Sequence, residues 1–261
     1  MDGIHICSLR SSSKGNATLV FSENTKVLVD CGVSCKMAVS ALADINIMPS
    51  EIDGIFVTHE HSDHIKGIEL FSKRYDVPVF ANSDTWSAMR QTLSSVSEGN
   101  VRIIEDEVVL IGDIKACAFP IPHDAANPVG YTFCRDGEKV AVATDMGMIS
   151  ETVIRAIEGA KTVLLEANHD ENLLLMGRYP DFLKRRIKSD RGHLCNDCAG
   201  EMAEYLMKNG TKNFILGHLS AENNNPHLAY VTVLEALKRS GKENEDFVLK
   251  MTYPDKTGEV V

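Results

Sequence analysis

Three imidazoles and two carboxylates, those of Glu60 and Asp63, lie within the stretch Thr58–His64, which reads Thr-His-Glu-His-Ser-Asp-His. Side chains of these types at this density are typical of a metal site. In an extended segment alternate side chains project to the same side, so His59 and His61 can hold one ion while Asp63 and His64, where the chain turns, can reach a second. The alternative, a cluster of solvated polar residues in a loop, explains one histidine better than it explains the whole pattern.

The elements around this stretch place it at the end of a buried strand. Gly54–Val57 is a short apolar run of the kind that forms a strand, so the histidines follow where the chain leaves the sheet. Three further candidates also end strand-like runs: His123, Asp145 and His218. Taken alone, His123 could equally be a loop histidine with satisfied hydrogen bonds. Together, strand ends of this kind can converge on one cleft.

The stretch resembles the H-x-H-x-D-H signature of the metallo-β-lactamase superfamily, whose members are mostly metal-dependent hydrolases. The resemblance implies ligands grouped by ion: His59, His61 and His123 for the first, Asp63, His64 and His218 for the second, and Asp145 bridging both. It also implies that Asp30 orients a ligand histidine. Nitrogen and carboxylate ligands suit two Zn²⁺ or Mn²⁺ ions, with iron a further option, and the choice stays open.

Glu166 and His193 resemble a pair that phosphodiesterase members, such as transfer-RNA 3′-processing endonucleases, add to this core. The resemblance implies that Glu166 holds His193 and that His193 protonates the leaving oxygen, with Asp63 the third catalytic residue. An alkoxide needs such a proton near neutral pH, and a neighbouring carboxylate raises the pKa of an imidazolium. The plainer interpretation of His193 is a histidine at a helix entry. We expect His169, close by in sequence, to be exposed.

Over essentially its whole length the chain is similar to the WalJ branch of the superfamily, also called YycJ or VicX. The similarity rests on five motifs: Ser-Ser-Ser-Lys-Gly-Asn at 11–16, Pro-His-Asp-Ala at 122–125, Thr-Asp-Met-Gly at 144–147, Glu-Ala-Asn-His-Asp at 166–170 and Gly-His-Leu-Ser-Ala-Glu-Asn-Asn at 217–224. It implies a bacterial cytoplasmic nuclease, with a DNA 5′-exonuclease role in mismatch repair for some members. Nucleic acid, DNA rather than long structured RNA, is the expected substrate and partner.

The hypothesis for the reaction is phosphodiester hydrolysis, in which a hydroxide bridging the two ions attacks phosphorus. Two alternatives remain: the same site acting on a small ester, lactone or cyclic phosphate, and a non-catalytic regulator that binds a signalling protein or a nucleotide. The Ser-rich loop offers Ser13, Lys14 and Asn16 for a substrate phosphate, or is only a polar turn. Five basic residues before His193 could also contact phosphate or form a solvated face: Lys184, Arg185, Arg186, Lys188 and Arg191.

The element pattern predicts an α/β (α+β) fold, a four-layer αββα sandwich. Three strands, His5–Leu9, Ala17–Ser22 and Lys26–Asp30, form a meander before alternating helices and strands, and a second series of strands starts at Val101. A helix is expected at Asp197–Lys208, with Asn196 or Asp197 as its N-cap. No linker divides residues 1–261, which predicts a single domain. The 26 residues between Glu166 and His193, 167 to 192, are too few for a β-CASP insert.

The composition limits the kinds of surface, compartment and cysteine site that the chain can have. The chain has 261 residues, 44% of them hydrophobic, and a net charge of −10, which argues against a generally cationic nucleic-acid surface. It has no apolar run of about 18 residues and no signal-peptide pattern, so we expect no membrane contact and a cytoplasmic location. Seven cysteines fit a reducing compartment, and Cys195 with Cys198 lacks the two further soft ligands of a zinc site. The oligomeric state stays open.

Overall fold

A computed structural model describes residues 3–105, 108–239 and 246–261. The first of its two sheets contains β1 His5–Arg10, β2 Ala17–Phe21, β3 Lys26–Val29, β4 Gly54–Phe56, β5 Val79–Ala81 and β6 Val101–Ile103. The second contains β7 Val109–Ile111, β8 Ile114–Pro120, β9 Val129–Arg135, β10 Glu138–Ala143, β11 Thr162–Glu166, β12 Asn213–Gly217 and β13 Val248–Met251.

The two sheets share one plan. In the first, β1 to β3 are antiparallel and β3 to β6 are parallel. In the second, β7 to β10 are antiparallel and β10 to β13 are parallel. Parallel strands bring their carboxyl ends to one edge, which is where sites form in such sheets. Val101–Ile103 was expected to begin the second series of strands, and this was wrong: it pairs with Val79–Ala81 and completes the first sheet.

The helices are α1 Cys35–Ala43, α2 Ser62–Ile65, α3 Ile68–Tyr75, α4 Ser83–Met89, α5 Glu151–Ile157, α6 Glu171–Met176, α7 Asp181–Ile187, α8 Asn196–Lys208 and α9 Pro226–Arg239. Two 3₁₀ turns lie at Pro49–Glu51 and Glu98–Asn100. The N-cap of α8 is Cys195, whose Sγ accepts a hydrogen bond from the backbone N–H of Cys198. Asn196 does not cap the helix because its side chain donates to the Asn224 Oδ1 at 3.0 Å. Among the described helices, none is both long and apolar enough to cross a bilayer.

Three separate hydrophobic clusters show the order of the layers. Leu28 and Ile55 pack with α1, α3 and α4. Their neighbours Val27 and Phe56 point the other way, into a cluster shared with the second sheet. The third cluster joins the outer face of the second sheet to α5, α8 and α9. Helices therefore cover both outer faces of two packed sheets, and the predicted four-layer αββα sandwich is confirmed.

Candidate metal centre

The His-rich stretch follows β4 and bends into the single turn of α2. His61 precedes that helix with an extended backbone, and Asp63 and His64 lie within it. Two backbone hydrogen bonds fix the turn to the first sheet: Asn16 N donates to Asp63 O at 2.8 Å, and Cys31 N donates to His64 O at 2.9 Å. These bonds hold the turn against the loops that follow β1 and β3, and those loops therefore fix the direction of its side chains.

The remaining predicted residues enter from strand ends. His123 follows β8, Asp145 follows β10 and His218 follows β12. Asp30, Asp145 and His218 have positive φ angles of 61°, 62° and 56°. This left-handed backbone is uncommon for residues other than glycine, although Asp, Asn and His adopt it more readily than most. It turns the chain sharply at the sheet edge, where these side chains meet.

The structure brings the predicted ligands together. Ligand atoms lie within 4.8 Å of one another in three overlapping groups: His59, His61 and His123; Asp63, His64 and His218; and His59, His64 and Asp145. The first two groups are the triads that the family resemblance implies, and Asp145 lies beside both.

These residues fit a bound cation by their burial and by their unpaired atoms. His59, His64, His123, Asp145 and His218 are each at most 2% exposed. Within the described part of the chain, Nε2 of His59, His123 and His218 and Oδ2 of Asp145 are buried without a hydrogen-bond partner. Unpaired buried polar atoms are unfavourable, and such groups in native proteins often face an ion or water. Neutral imidazoles and ionised carboxylates are the donor set of Zn²⁺ and Mn²⁺ sites.

Hydrogen bonds behind the imidazoles set which nitrogen faces the centre. Asp30 Oδ2 lies 2.7 Å from His64 Nδ1 and accepts from the Thr58 hydroxyl at 2.8 Å. That hydroxyl also lies 3.0 Å from His59 Nδ1, and His123 Nδ1 donates to Gly192 O at 3.1 Å. With Nδ1 engaged in each ring, Nε2 is the nitrogen that faces the centre, and in His64 it also lies 3.3 Å from the Asn16 amide. The orienting role predicted for Asp30 has the contact it requires.

Burial and neighbouring carboxylates have opposite effects on the pKa values of the histidines. Burial lowers the pKa of His59 well below its usual value, and of His123 to a smaller degree. Burial also lowers the pKa of His64 and His218, but the neighbouring carboxylates together outweigh it and raise both values well above the usual range. Asp145 acts on both rings, Asp30 adds to its effect on His64, and Asp63 and Glu166 add to it on His218. His59 and His123 are therefore held in the neutral form that binds a cation.

Glu166 contacts two histidines. Its Oε1 lies 2.8 Å from His193 Nδ1 and 3.0 Å from His218 Nδ1, while Oε2 accepts from Met146 N and Leu194 N. Although burial raises the pKa of Glu166, His193 and these hydrogen bonds lower it to about 2. The structure thus places Glu166 against His193 as predicted, and it adds a contact with His218 that the sequence did not suggest.

A cavity of about 160 Å³ opens beside His193. Its walls include Ser13, Tyr179, Leu183, Arg186 and Ser220. The side chain of His193 is 22% exposed, and because its Nδ1 faces Glu166, Nε2 is the atom available to a molecule in the cavity. The cavity therefore gives His193 a route to substrate that the buried histidines lack.

The residues proposed for phosphate binding separate into different environments. Ser13 lines the cavity and Lys14 is exposed, but Asn16 is buried with its amide 3.3 Å from His64 Nε2. Of the basic run, Arg186 lines the cavity and pairs with Asp124. The other contacts are Lys184 Nζ with Leu175 O, Lys188 with Glu171, and Arg191 Nε with His123 O.

Three residues near the centre were judged wrongly or missed. His169 is buried, not exposed, and burial lowers its pKa to about 4. The sequence gave no reason to select Thr58 as a contact of His59 and Asp30, or Asn16 as a brace of the Asp63–His64 turn. The Asn16–His64 contact spans 48 residues, so no local pattern could have shown it.

Comparison with known proteins gives three findings. The family described as "Beta-lactamase superfamily domain" matches residues 25–219. The chain is 39% identical to a Bacillus anthracis protein named exodeoxyribonuclease YycJ, over 92% of this chain and 91% of the other, and 38% identical to exodeoxyribonuclease WalJ of Streptococcus pneumoniae, over 97% and 96%. The metallo-β-lactamase fold protein YhfI of Bacillus subtilis matches with a TM-score of 0.71 at 16% identity, over 99% of this chain and 100% of that one.

Proposed function

From the premise that this chain belongs to the metallo-β-lactamase superfamily and, within it, to the WalJ/YycJ family, we propose that it is a DNA nuclease that acts from a 5′ end. It is a metal-dependent hydrolase, as its family is. The observation that carries the finer proposal is the 2.8 Å contact between Glu166 and His193 beside the histidine and aspartate cluster. A hydrolase of activated esters has no need of such a proton donor, whereas a nuclease does.

The seven predicted ligands would hold two divalent ions: His59, His61, Asp63, His64, His123, Asp145 and His218. Such ions supply Lewis acidity toward phosphoryl oxygens and lower the pKa of water. Glu166 accepts from His193 Nδ1, which fixes the orientation of the imidazole ring. His193 then donates the proton on Nε2 to the oxygen that leaves phosphorus. Asp30 and Thr58 keep the ligand rings in place during the reaction.

The surroundings of the cavity support a nucleic-acid substrate. Tyr179 lines the cavity, and Phe182, which precedes the cavity residue Leu183 in α7, is 67% exposed. Exposed aromatic rings provide faces on which bases stack. Arg186 and Ser13 can hold phosphate at the cavity wall. Because the chain has a net charge of −10, binding would depend on these local contacts and not on a general positive field.

We also make proposals for the domain organisation and the cellular location of the protein. The segment between Glu166 and His193 contains the short helices α6 and α7, so we propose one hydrolase domain over residues 1–261 without an inserted clamp. Cytoplasmic location stays a prediction.

The test is hydrolysis by the Mn²⁺- or Zn²⁺-loaded chain. We expect mononucleotide release from 5′-labelled linear DNA, slow or no cleavage of circular DNA and RNA, and two metal ions per chain by elemental analysis. Cleavage of a lactone or thioester but of no nucleic acid would overturn the proposal in favour of a small-ester hydrolase. One ion per chain in a fully loaded sample would overturn the dinuclear centre.

A further inference from the structure

Two cysteine thiols are held in contact at the start of α8, outside the metal centre. Sγ of Cys195 and Sγ of Cys198 lie 3.0 Å apart. Cys195 is the N-cap, and its Sγ accepts a hydrogen bond from the backbone N–H of Cys198 at 3.3 Å. The helix they begin is long, Asn196–Lys208, and its first turn favours negative charge. The geometry therefore favours a thiolate on Cys195, with the Cys198 thiol as its hydrogen-bond donor.

The other cysteines provide a contrast. All seven lie in the described part of the chain and all are free thiols. The hydrogen bond with Cys198 lowers the pKa of Cys195 to about 7, although burial opposes this. Burial instead raises the pKa of Cys7 to about 12 and raises that of Cys31. Cys198 is partly exposed whereas Cys195 is 7% exposed, so the oxidant must be small.

The backbone of Cys195 is connected to His193 by a short chain of hydrogen bonds. Leu194 N donates to Glu166 Oε2 at 3.2 Å, the same carboxylate whose Oε1 contacts His193. On either side, Asn168 N donates to Leu194 O and Asn196 N donates to His169 O, both at 2.9 Å. Leu194 is therefore the route by which a change in the position of Cys195 would reach the Glu166–His193 contact.

We propose that Cys195 and Cys198 form a reversible dithiol–disulfide site, oxidised by low-molecular-weight disulfides, and that its oxidation weakens proton donation by His193. The Cys195 thiolate attacks one sulfur of the oxidant RSSR, which forms a mixed disulfide and releases one thiolate RS⁻. The Cys198 thiol then loses its proton to RS⁻ and attacks the Cys195 sulfur, which releases the second RS⁻. The second RS⁻ takes up the proton that Cys195 released when it ionised, so two thiols are oxidised to one disulfide and RSSR is reduced to two RSH.

Disulfide formation would move the two sulfur atoms only a short distance, but close to the Glu166–His193 contact. A disulfide brings the sulfurs to about 2.05 Å, about 1 Å closer than their present contact, and removes the thiolate that caps α8. A displacement of about 1 Å can cost about 100-fold when it misplaces a reacting group. This second half of the proposal rests on the proposed role of His193, whereas disulfide formation does not.

The test uses the full chain loaded with Mn²⁺, since manganese binds thiolates weakly. After incubation with hydroxyethyl disulfide, intact mass and peptide mapping should show the loss of two hydrogen atoms at the pair Cys195–Cys198. Hydrolysis of DNA should fall about 10- to 100-fold and return with dithiothreitol. Hydrolysis of a p-nitrophenyl phosphodiester should fall much less, because its leaving group needs no proton.

Matched variants separate the pair from the other thiols. Cys195→Ser keeps an N-cap, because serine is a preferred cap, and Cys198→Ser removes the second thiol; both should keep basal activity and resist the oxidant. Cys117→Ser with Cys134→Ser should remain as sensitive as the original chain. Absence of the Cys195–Cys198 disulfide under these conditions would overturn the site. A disulfide that forms without a selective loss on DNA would overturn its link to His193.

Discussion

The proton that His193 is proposed to donate matters in proportion to how poor the leaving group is. His193→Ala should therefore reduce hydrolysis of DNA by about 10²- to 10⁴-fold, the usual contribution of a positioned acid. On a p-nitrophenyl phosphodiester, whose phenolate leaves unaided, the loss should be far smaller. Steady-state kinetics on both substrates, with metal content measured in parallel, make the comparison. His227→Ala is the matched control, since His227 is exposed on α9.

Equal losses on the two substrates at unchanged metal content would mean that His193 binds phosphate or supports the fold. Glu166→Gln is a less selective change than the sequence alone suggested. Glu166 contacts His218 as well as His193, so removing its charge should lower metal affinity in addition to activity on DNA.

Asp30 offers a test of the hydrogen bonds behind the ligands. Asp30→Asn keeps the shape of the side chain but replaces an acceptor that holds His64 Nδ1 at 2.7 Å and receives both Thr58 donors. Loss of such a partner usually lowers metal affinity about 10- to 100-fold, which competition with a chromogenic chelator would measure. The control is Asp53→Asn, because Asp53 only accepts from Lys26 N at an exposed position. Unchanged affinity would show that Thr58 alone suffices to orient the ring.

For single residues, the sequence predicted those whose role follows from their own type and local position. His123, Asp145 and His218 each stand at the end of an apolar run, and the structure places all three at one sheet edge. Asn16, Thr58 and the burial of His169 were missed because their roles depend on segments that are remote in sequence. His64 is fully buried beside Asp30, so His64→Ala should also destabilise the fold by removing one of the buried partners of that carboxylate.

Among the elements, the loop after β3 and the turn of α2 are in unusually close contact at Gly32. A Cβ atom at this position would lie 1.6 Å from the backbone oxygen of Asp63. Gly32→Ala must therefore displace the Asp63–His64 turn, and we expect a loss of about 1–3 kcal/mol in the free energy of unfolding together with weaker metal binding. Urea denaturation and metal analysis measure the two effects.

Gly99→Ala is the matched control, since a Cβ there meets only Ser97 Oγ at 3.6 Å. Full metal content in a stable Gly32→Ala protein would show that the turn can relax without moving its side chains. This packing was not predictable, because a glycine in sequence does not reveal which distant backbone approaches it. By contrast, α8 was predicted closely from its apolar spacing, and only its cap differed, because Asn196 bonds Asn224 instead.

For the whole molecule, the centre lies between the two sheets, with ligands from both. Removing metal should leave a cooperative but lower thermal transition, because the two apolar clusters under the helices do not involve the ligands. Binding of an ion only to the folded state stabilises it by about 2.7 kcal/mol at a concentration 100 times Kd. Scanning calorimetry of chelated protein with increasing Mn²⁺ would show the rise in Tm. A metal-free chain without a cooperative transition would make the centre structural.

Asp30, Asp145 and His218 have a left-handed backbone that lowers the stability of the fold, while their side chains belong to the metal centre. Each non-glycine residue in this conformation costs about 1–2 kcal/mol relative to ordinary backbone, and glycine would relieve that strain. Asp145→Gly would also remove the buried carboxylate that pairs with His64 and His218, so it would end hydrolysis. Selection for heat resistance alone takes no account of hydrolysis at these three positions, so directed evolution toward stability needs a simultaneous selection for turnover.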